Sequence, residues 1–132
     1  METIGIMIRK KNYNNNGKIQ NPTRKNLRKQ FHTLHRKLKK NDKDLTTNYV
    51  IEKDNHKGSF HSHLLIHYTD KNNLYNQLSR FIGGNIWKER KEGFDTIYGC
   101  FGKYGEVDTH YIYDEDGFIE YLNKYEQTEK LI

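Results

Sequence analysis

Two short clusters hold the residue types that do chemistry: His61-Ser62-His63 within the apolar run Phe60–Tyr68, and Tyr121-Leu122-Asn123-Lys124 near the C-terminus. In a strand every second side chain shares a face, so His61 and His63 project together while Ser62 points to the other side. Two imidazoles side by side on a rigid strand are half of a metal site. On a helix, Tyr121 and Lys124 are one turn apart, so a phenol and an ammonium can address one phosphate. A metal pair with a tyrosine and an adjacent lysine predicts attack on a phosphodiester, with tyrosine as the nucleophile.

Two histidines need a further ligand, and a carboxylate across a hairpin is the nearest source. Glu52 lies beside Val50 and Ile51 on the preceding apolar run, where pairing can set it opposite His61 or His63. Two imidazoles and a carboxylate leave positions for water and a phosphate oxygen, and suit Mn²⁺ or Mg²⁺ but also Zn²⁺. Of the remaining histidines, His67 shares the parity of His61 and His63 as a substrate contact or bystander. His56 falls in a turn, and His32 and His35 are expected to be surface groups. Tyrosine, with a free pKa of about 10, is a weak nucleophile unless the phosphate is polarised. Lys124 can add charge where the phosphorane develops. The plainer reading of Tyr121 is a place in the apolar stripe Phe118, Tyr121, Leu122 and Tyr125. Tyr125 is expected to pack, or else to serve as a second nucleophile.

The elements needed to position these groups are legible in the spacing. Ile4, Ile6 and Ile8 alternate as a first strand. Asn21-Pro22-Thr23 opens a helix, capped by Asn21 or Thr23, with the stripe Leu27, Phe31, Leu34 and Leu38. Thr46–Lys53 and Phe60–Tyr68 form a hairpin. Leu74, Leu78, Phe81 and Ile82 mark a second helix ended by Gly83-Gly84. Ile86-Trp87-Lys88 and Thr109–Tyr113 read as further strands, Glu89–Val107 is ambiguous, and a last helix follows Asp116-Gly117. This order predicts one α+β domain over residues 1–132, with a central antiparallel sheet, helices packed mainly on one face, and the histidines on the open face.

Composition narrows the setting. The 132 residues carry a net charge of +6, and only 33% are hydrophobic, yet these fall in periodic runs that argue against disorder. No run is long and apolar enough for a membrane span or a secretory signal. A lone Cys100 excludes an intrachain disulfide and is expected to pack in the core of a protein of the reducing cytosol. Residues 3–41 hold twelve Lys or Arg and no Asp or Glu. A polyanion would be drawn to this third of the chain, with Arg24, Lys25, Arg28, Lys29, Arg36 and Lys37 on the first helix as the candidate nucleic-acid contacts.

Together these motifs resemble the HUH superfamily of rolling-circle replication initiators, the Rep endonucleases of small plasmids, phages and viruses. The matching features are Glu52, nine residues before the first histidine, His61-Ser62-His63, and Tyr121-Leu122-Asn123-Lys124 after the acidic turn Asp114-Glu115-Asp116-Gly117. The resemblance implies a ferredoxin-like or RRM-like sheet and an Mn²⁺- or Mg²⁺-dependent cut in single-stranded DNA at an origin, free or in a hairpin. Tyr121 would keep the 5′-phosphate and release a 3′-OH, and the reverse reaction would rejoin ends. It further implies a host or viral polymerase and helicase as partners, a homodimer as an option, and the host cytoplasm, or the nucleus of a eukaryotic host, as the compartment. Ser62 departs from the hydrophobic residue usual between the histidines, and Ile4–Arg9 is the positional match to the family's first motif. No P-loop is present. Three competing functions fit parts of the pattern. A single-tyrosine HUH transposase would carry Gln where Lys124 stands. A non-catalytic nucleic-acid-binding α+β module would use the aromatics and the basic helix alone, and a Zn²⁺ hydrolase would use activated water.

Overall fold

The computed structural model describes residues 1–54, 58–124 and 128–132; His56 and Tyr125 lie outside them. The chain runs β1 (Glu2–Lys10), a small hairpin β2 (Asn12–Tyr13) and β3 (Ile19–Gln20), α1 (Arg24–Lys39), β4 (Thr46–Lys53), β5 (Phe60–Tyr68) and α2 (Lys71–Ile82). It continues with β6 (Trp87–Glu92), β7 (Asp95–Gly102), β8 (Gly105–Tyr111), α3 (Glu115–Leu122) and β9 (Glu129–Leu131). Among the described residues seven strands form one antiparallel sheet in the order β6-β7-β8-β1-β5-β4-β9. The fold is α+β, as its periodicities predict.

Strand alternation decides which face is covered. Ile4, Ile6 and Ile8 on β1 and Leu64 and Ile66 on β5 are buried with Leu27, Phe31, Leu34 and Leu38 of α1 and Leu74, Leu78 and Ile82 of α2. The two helices therefore share one face of the sheet. Their ends follow local chemistry. The Thr23 side chain accepts from the Asn26 N–H at the start of α1, and the Asp70 side chain accepts from Asn73 at the start of α2. Gly83 closes α2 at φ +66°, a left-handed turn that its missing Cβ permits.

The region from Glu89 to Val107 resolves into the meander β6–β7–β8. Its pattern is masked in the sequence because β6 is an edge strand, Trp-Lys-Glu-Arg-Lys-Glu, with no buried residue. Charges on an exposed edge oppose pairing with other chains, and they erase the apolar alternation that marks an interior strand. The expected strand Thr109–Tyr113 overlaps only the far end of β8, which runs from Gly105 to Tyr111 and leaves Ile112 and Tyr113 beyond it.

The last helix differs from its expected form at both ends. It starts at Glu115, capped by Asp114, whose side chain accepts from the Gly117 N–H at 3.0 Å. A Cβ on Gly117 would come within 2.3 Å of an Asp114 carboxylate oxygen, so the glycine belongs to the first turn and does not precede it. The helix ends at Leu122 with Asn123 as its C-cap, which leaves Lys124 just beyond it. Helix α3 lies on the face opposite α1 and α2. Its Glu115 meets His67 Nε2 at 2.6 Å, and its Phe118 ring stands 6.1 Å from that of His110, both on the histidine-bearing face. Among the described residues, no helix is long and apolar enough to cross a membrane.

Candidate metal centre and nucleophile helix

The β4–β5 register sets Glu52 directly opposite His61 and Val50 opposite His63. On the other side of β5, Met7 of β1 pairs with His63. Even-numbered residues of β5 turn toward the helices, so the odd-numbered His61 and His63 stand on the opposite face, as expected. Ser62 is buried, its side chain directed to the helix side. A small hydroxyl there occupies a position beneath the sheet while the histidines keep their orientation.

Glu52, His61 and His63 each offer a ligand atom, and these atoms all lie within 4.8 Å of one another. His61 Nε2 is 3.1 Å from Glu52 Oε2, and the two imidazole rings meet edge to face with centroids 5.1 Å apart. All three residues are half-buried. Two imidazole nitrogens and a carboxylate oxygen converging at this spacing can hold a metal ion, so the residues fit the group the sequence implies.

Around this trio stand residues that strand parity and motif spacing did not single out. Asp54 hydrogen-bonds His61 Nδ1, accepts from Ser59 Oγ at 2.9 Å, and pairs with Arg9 Nη1 at 2.8 Å. Arg9 also reaches Glu106 at 3.5 Å. Burial alone would raise the Asp54 pKa, but hydrogen bonds from His61 and Ser59 and the charge of Arg9 outweigh it and hold the carboxyl below its usual range. Through its contact with Nδ1, Asp54 orients the His61 ring so that Nε2 faces Glu52. The signal for Asp54 was its spacing from Glu52, since alternate residues of an extended segment share a face.

His63 is pushed below the ordinary histidine range chiefly by burial. Glu52 pulls it back up, and His61, His110 and Arg9 add to the lowering. Its ring is therefore neutral at neutral pH, the form a metal ligand requires. Burial likewise lowers His110 on β8.

Helix α3 brings the candidate nucleophile to this same face. Glu115 contacts His67, while Phe118 contacts His110, whose partner on β1 is Gly5 and, beyond it, Leu65. From Glu115 to Phe118 the helix crosses the sheet from β5 to β8, and among the described residues the Tyr121 side chain makes no hydrogen bond or ring contact with Glu52, His61 or His63. Leu122 is buried and anchors it, whereas Tyr121 is 64% exposed. Tyr121 accordingly does not belong to the apolar stripe that its spacing suggested: successive helical positions diverge by 100°, and Leu122 takes the inward one. The Lys124 N–H donates to the Tyr121 carbonyl at 3.2 Å, so the one-turn relation between the two survives although Lys124 lies past the helix end.

The basic residues of α1 sit elsewhere. Helix α1 covers the face opposite the histidines, so the sheet and a helix about 10–12 Å across separate its outer side from the metal-ligand trio. Arg24 bends back to donate to the Ile51 carbonyl at 2.7 Å and lies over Phe60, and Arg28 pairs with Glu129 at 3.4 Å. Lys25, Lys29, Arg36 and Lys37 line the outer side of the helix. His35, expected at the surface, is buried and bonds Thr47 at 3.0 Å. His32 is half-buried beside Tyr49 and Glu129, and Cys100 is buried as expected.

No family model, no curated protein and no solved structure matches this chain. The chemistry of the site itself carries the functional reading.

Proposed function

We propose that this chain is an HUH-type nicking and joining endonuclease of the Rep class, acting on single-stranded DNA at a replication origin. The observation that carries the reading is the convergence of Glu52, His61 and His63 on the sheet face over which α3, the helix of the solvent-exposed Tyr121, is packed. Mn²⁺ or Mg²⁺ is the proposed ion, held by Glu52 and the two histidines. When bound, it supplies positive charge to a phosphate oxygen at the scissile position.

The chain's own residues do the rest. The Tyr121 oxygen attacks phosphorus, its proton leaves to solvent or a neighbouring base, and the bond to the 3′-oxygen breaks. The products are a 5′-phosphotyrosine and a free 3′-OH, and attack by a 3′-OH on the same linkage restores a phosphodiester and the phenol. Lys124 supplies charge beside the phosphate as the pentavalent state forms. Asp54 and Arg9 fix the His61 ring. A host or viral polymerase would extend the freed 3′-OH, and a helicase would be a separate chain.

The reading is tested by incubating the protein with 5′- and 3′-labelled single-stranded oligonucleotides bearing candidate origin sequences. The expected result is a metal-dependent covalent adduct on the 5′-phosphate side and a released 3′-OH product. Release of free 5′-phosphate with no adduct would point to hydrolysis and reject the tyrosine mechanism.

A further inference from the structure

On the face away from the metal ligands, α1 and α2 enclose a cleft of about 330 Å³. Lys10 from the end of β1, Lys29 and Lys37 from α1, and Arg80 from α2 all line it, and none of its lining residues is acidic. Among the described residues no carboxylate pairs with Lys29, Lys37 or Arg80. Lys10 forms the floor, its Nζ 5.2 Å from the ring centroids of both Phe81 and Tyr104. Helix α1 itself contains no Asp or Glu. Three of these four cations are exposed and Lys10 is half-buried, so together they set up a local positive potential, without a carboxylate in the lining, that favours a polyanion.

We infer that this cleft is a docking surface for the phosphate backbone of duplex DNA, separate from the single-strand site on the opposite face. The choice of DNA as the polyanion rests on the nicking reading above. Three features favour a duplex. The cleft offers cations and amides but no exposed aromatic ring on which an unpaired base could stack: Phe81 is itself stacked on Phe31 at 5.8 Å and covered by Lys10. Lys29 and Lys37, eight residues apart, are separated by about 12 Å of helix rise, comparable with the roughly 12 Å groove that divides the two backbones of B-DNA. The apolar stripe of α1 is spent in the core, which leaves nothing to insert into a lipid surface. A hairpin origin would then present its stem to α1 and α2 and its unpaired segment to the histidine face.

The test is fluorescence anisotropy on the full chain in EDTA, with a labelled, fully paired hairpin of mixed sequence titrated at several salt concentrations. Lys29→Gln/Lys37→Gln/Arg80→Gln should bind this duplex at least about tenfold more weakly near 0.1 M salt, with the log–log salt slope reduced by up to about 2.7, or 0.9 for each phosphate no longer neutralised. Circular dichroism melting confirms that the variant is folded. In competition, an unlabelled short unstructured single strand should fail to displace the bound duplex. An unchanged slope and affinity in the variant would overturn the proposal, as would full displacement by the single strand, which would mean one shared site. Loss of binding to vesicles rich in anionic lipid, with duplex binding retained, would assign the surface to a membrane instead and equally overturn it. Because no metal or cleavage is involved, these outcomes are read independently of whether the protein nicks DNA.

Discussion

Glu52 and His61 face each other across the β4–β5 hairpin, with His61 Nε2 3.1 Å from Glu52 Oε2. The pairing register alone produces this contact, and a one-residue slip would send Glu52 to the helix side of the sheet. If the proposed ion sits here, each imidazole and the carboxylate would be a direct donor to it. Glu52→Ala, His61→Ala or His63→Ala should each weaken Mn²⁺ binding, measured by titration calorimetry, by more than the roughly 10–100-fold typical of losing a group behind a ligand. Far-ultraviolet circular dichroism of the metal-free variants should match the wild type, because the three side chains lie outside the main core. Unaltered affinity in all three variants would remove this trio as the metal site.

Asp54 reaches the trio through its hydrogen bond to His61 Nδ1, and would act on an ion held there only through that ring. Asp54→Ala is expected to lower Mn²⁺ affinity about 10–100-fold, and Asp54→Asn, which can still accept from Nδ1–H, to recover part of it. Ser59→Ala removes a different Asp54 partner without touching His61 and should have the smaller effect. Equal losses for Asp54→Asn and Asp54→Ala would show that the hydrogen bond to His61 does not set affinity.

The large strand and helix framework was legible because its apolar residues repeat at two or at three and four. Ile4, Ile6 and Ile8 gave the central strand, and Leu27, Phe31, Leu34 and Leu38 gave α1. The trio of Glu52, His61 and His63 was legible for the same reason, since it needs only strand parity and one hairpin. Three things were hidden by physics that no local pattern reports. The edge strand β6 is charged from Lys88 to Glu92, so beyond Trp87 it lacks alternation. Tyr121 is turned outward by its neighbour Leu122, a choice made by the surface on which α3 packs. The placement of basic α1 behind the sheet depends on which face its stripe buries, and charge does not encode that.

The core prediction is quantitative. Leu64 on β5 is fully buried between the helices and the strand that carries both histidines. Leu64→Ala should cost about 2–5 kcal/mol of unfolding free energy in urea denaturation. A loss under about 1 kcal/mol would contradict the burial of β5 beneath the helices.

Acid should destabilise the fold before carboxylates titrate. His35, His63 and His110 all have pKa values lowered, chiefly by burial. A histidine lowered in the folded state binds its proton more readily when unfolded. Its contribution is therefore complete above the unfolded value of about 6.5 and is lost as pH falls from there toward the folded value. Asp54 and Glu129, lowered instead by their partners against the opposing effect of burial, add losses only at more acidic pH. Unfolding free energy measured from pH 8 to 5 should be flat above about 6.5 and decline below it. The decline should be shallower in His35→Asn, and an identical profile would exclude His35 as a source.

The central proposal, that Tyr121 is the nucleophile, is tested most directly by locating the covalent bond. The protein is incubated with Mn²⁺ and a single-stranded origin oligonucleotide, digested with protease and nuclease, and the nucleotide-bearing peptide is sequenced by mass spectrometry. The expected product is a phosphotyrosyl nucleotide on Tyr121, absent with EDTA and absent in Tyr121→Phe. An adduct on Tyr125 or on any other residue, or an adduct that persists in Tyr121→Phe, would contradict the assignment.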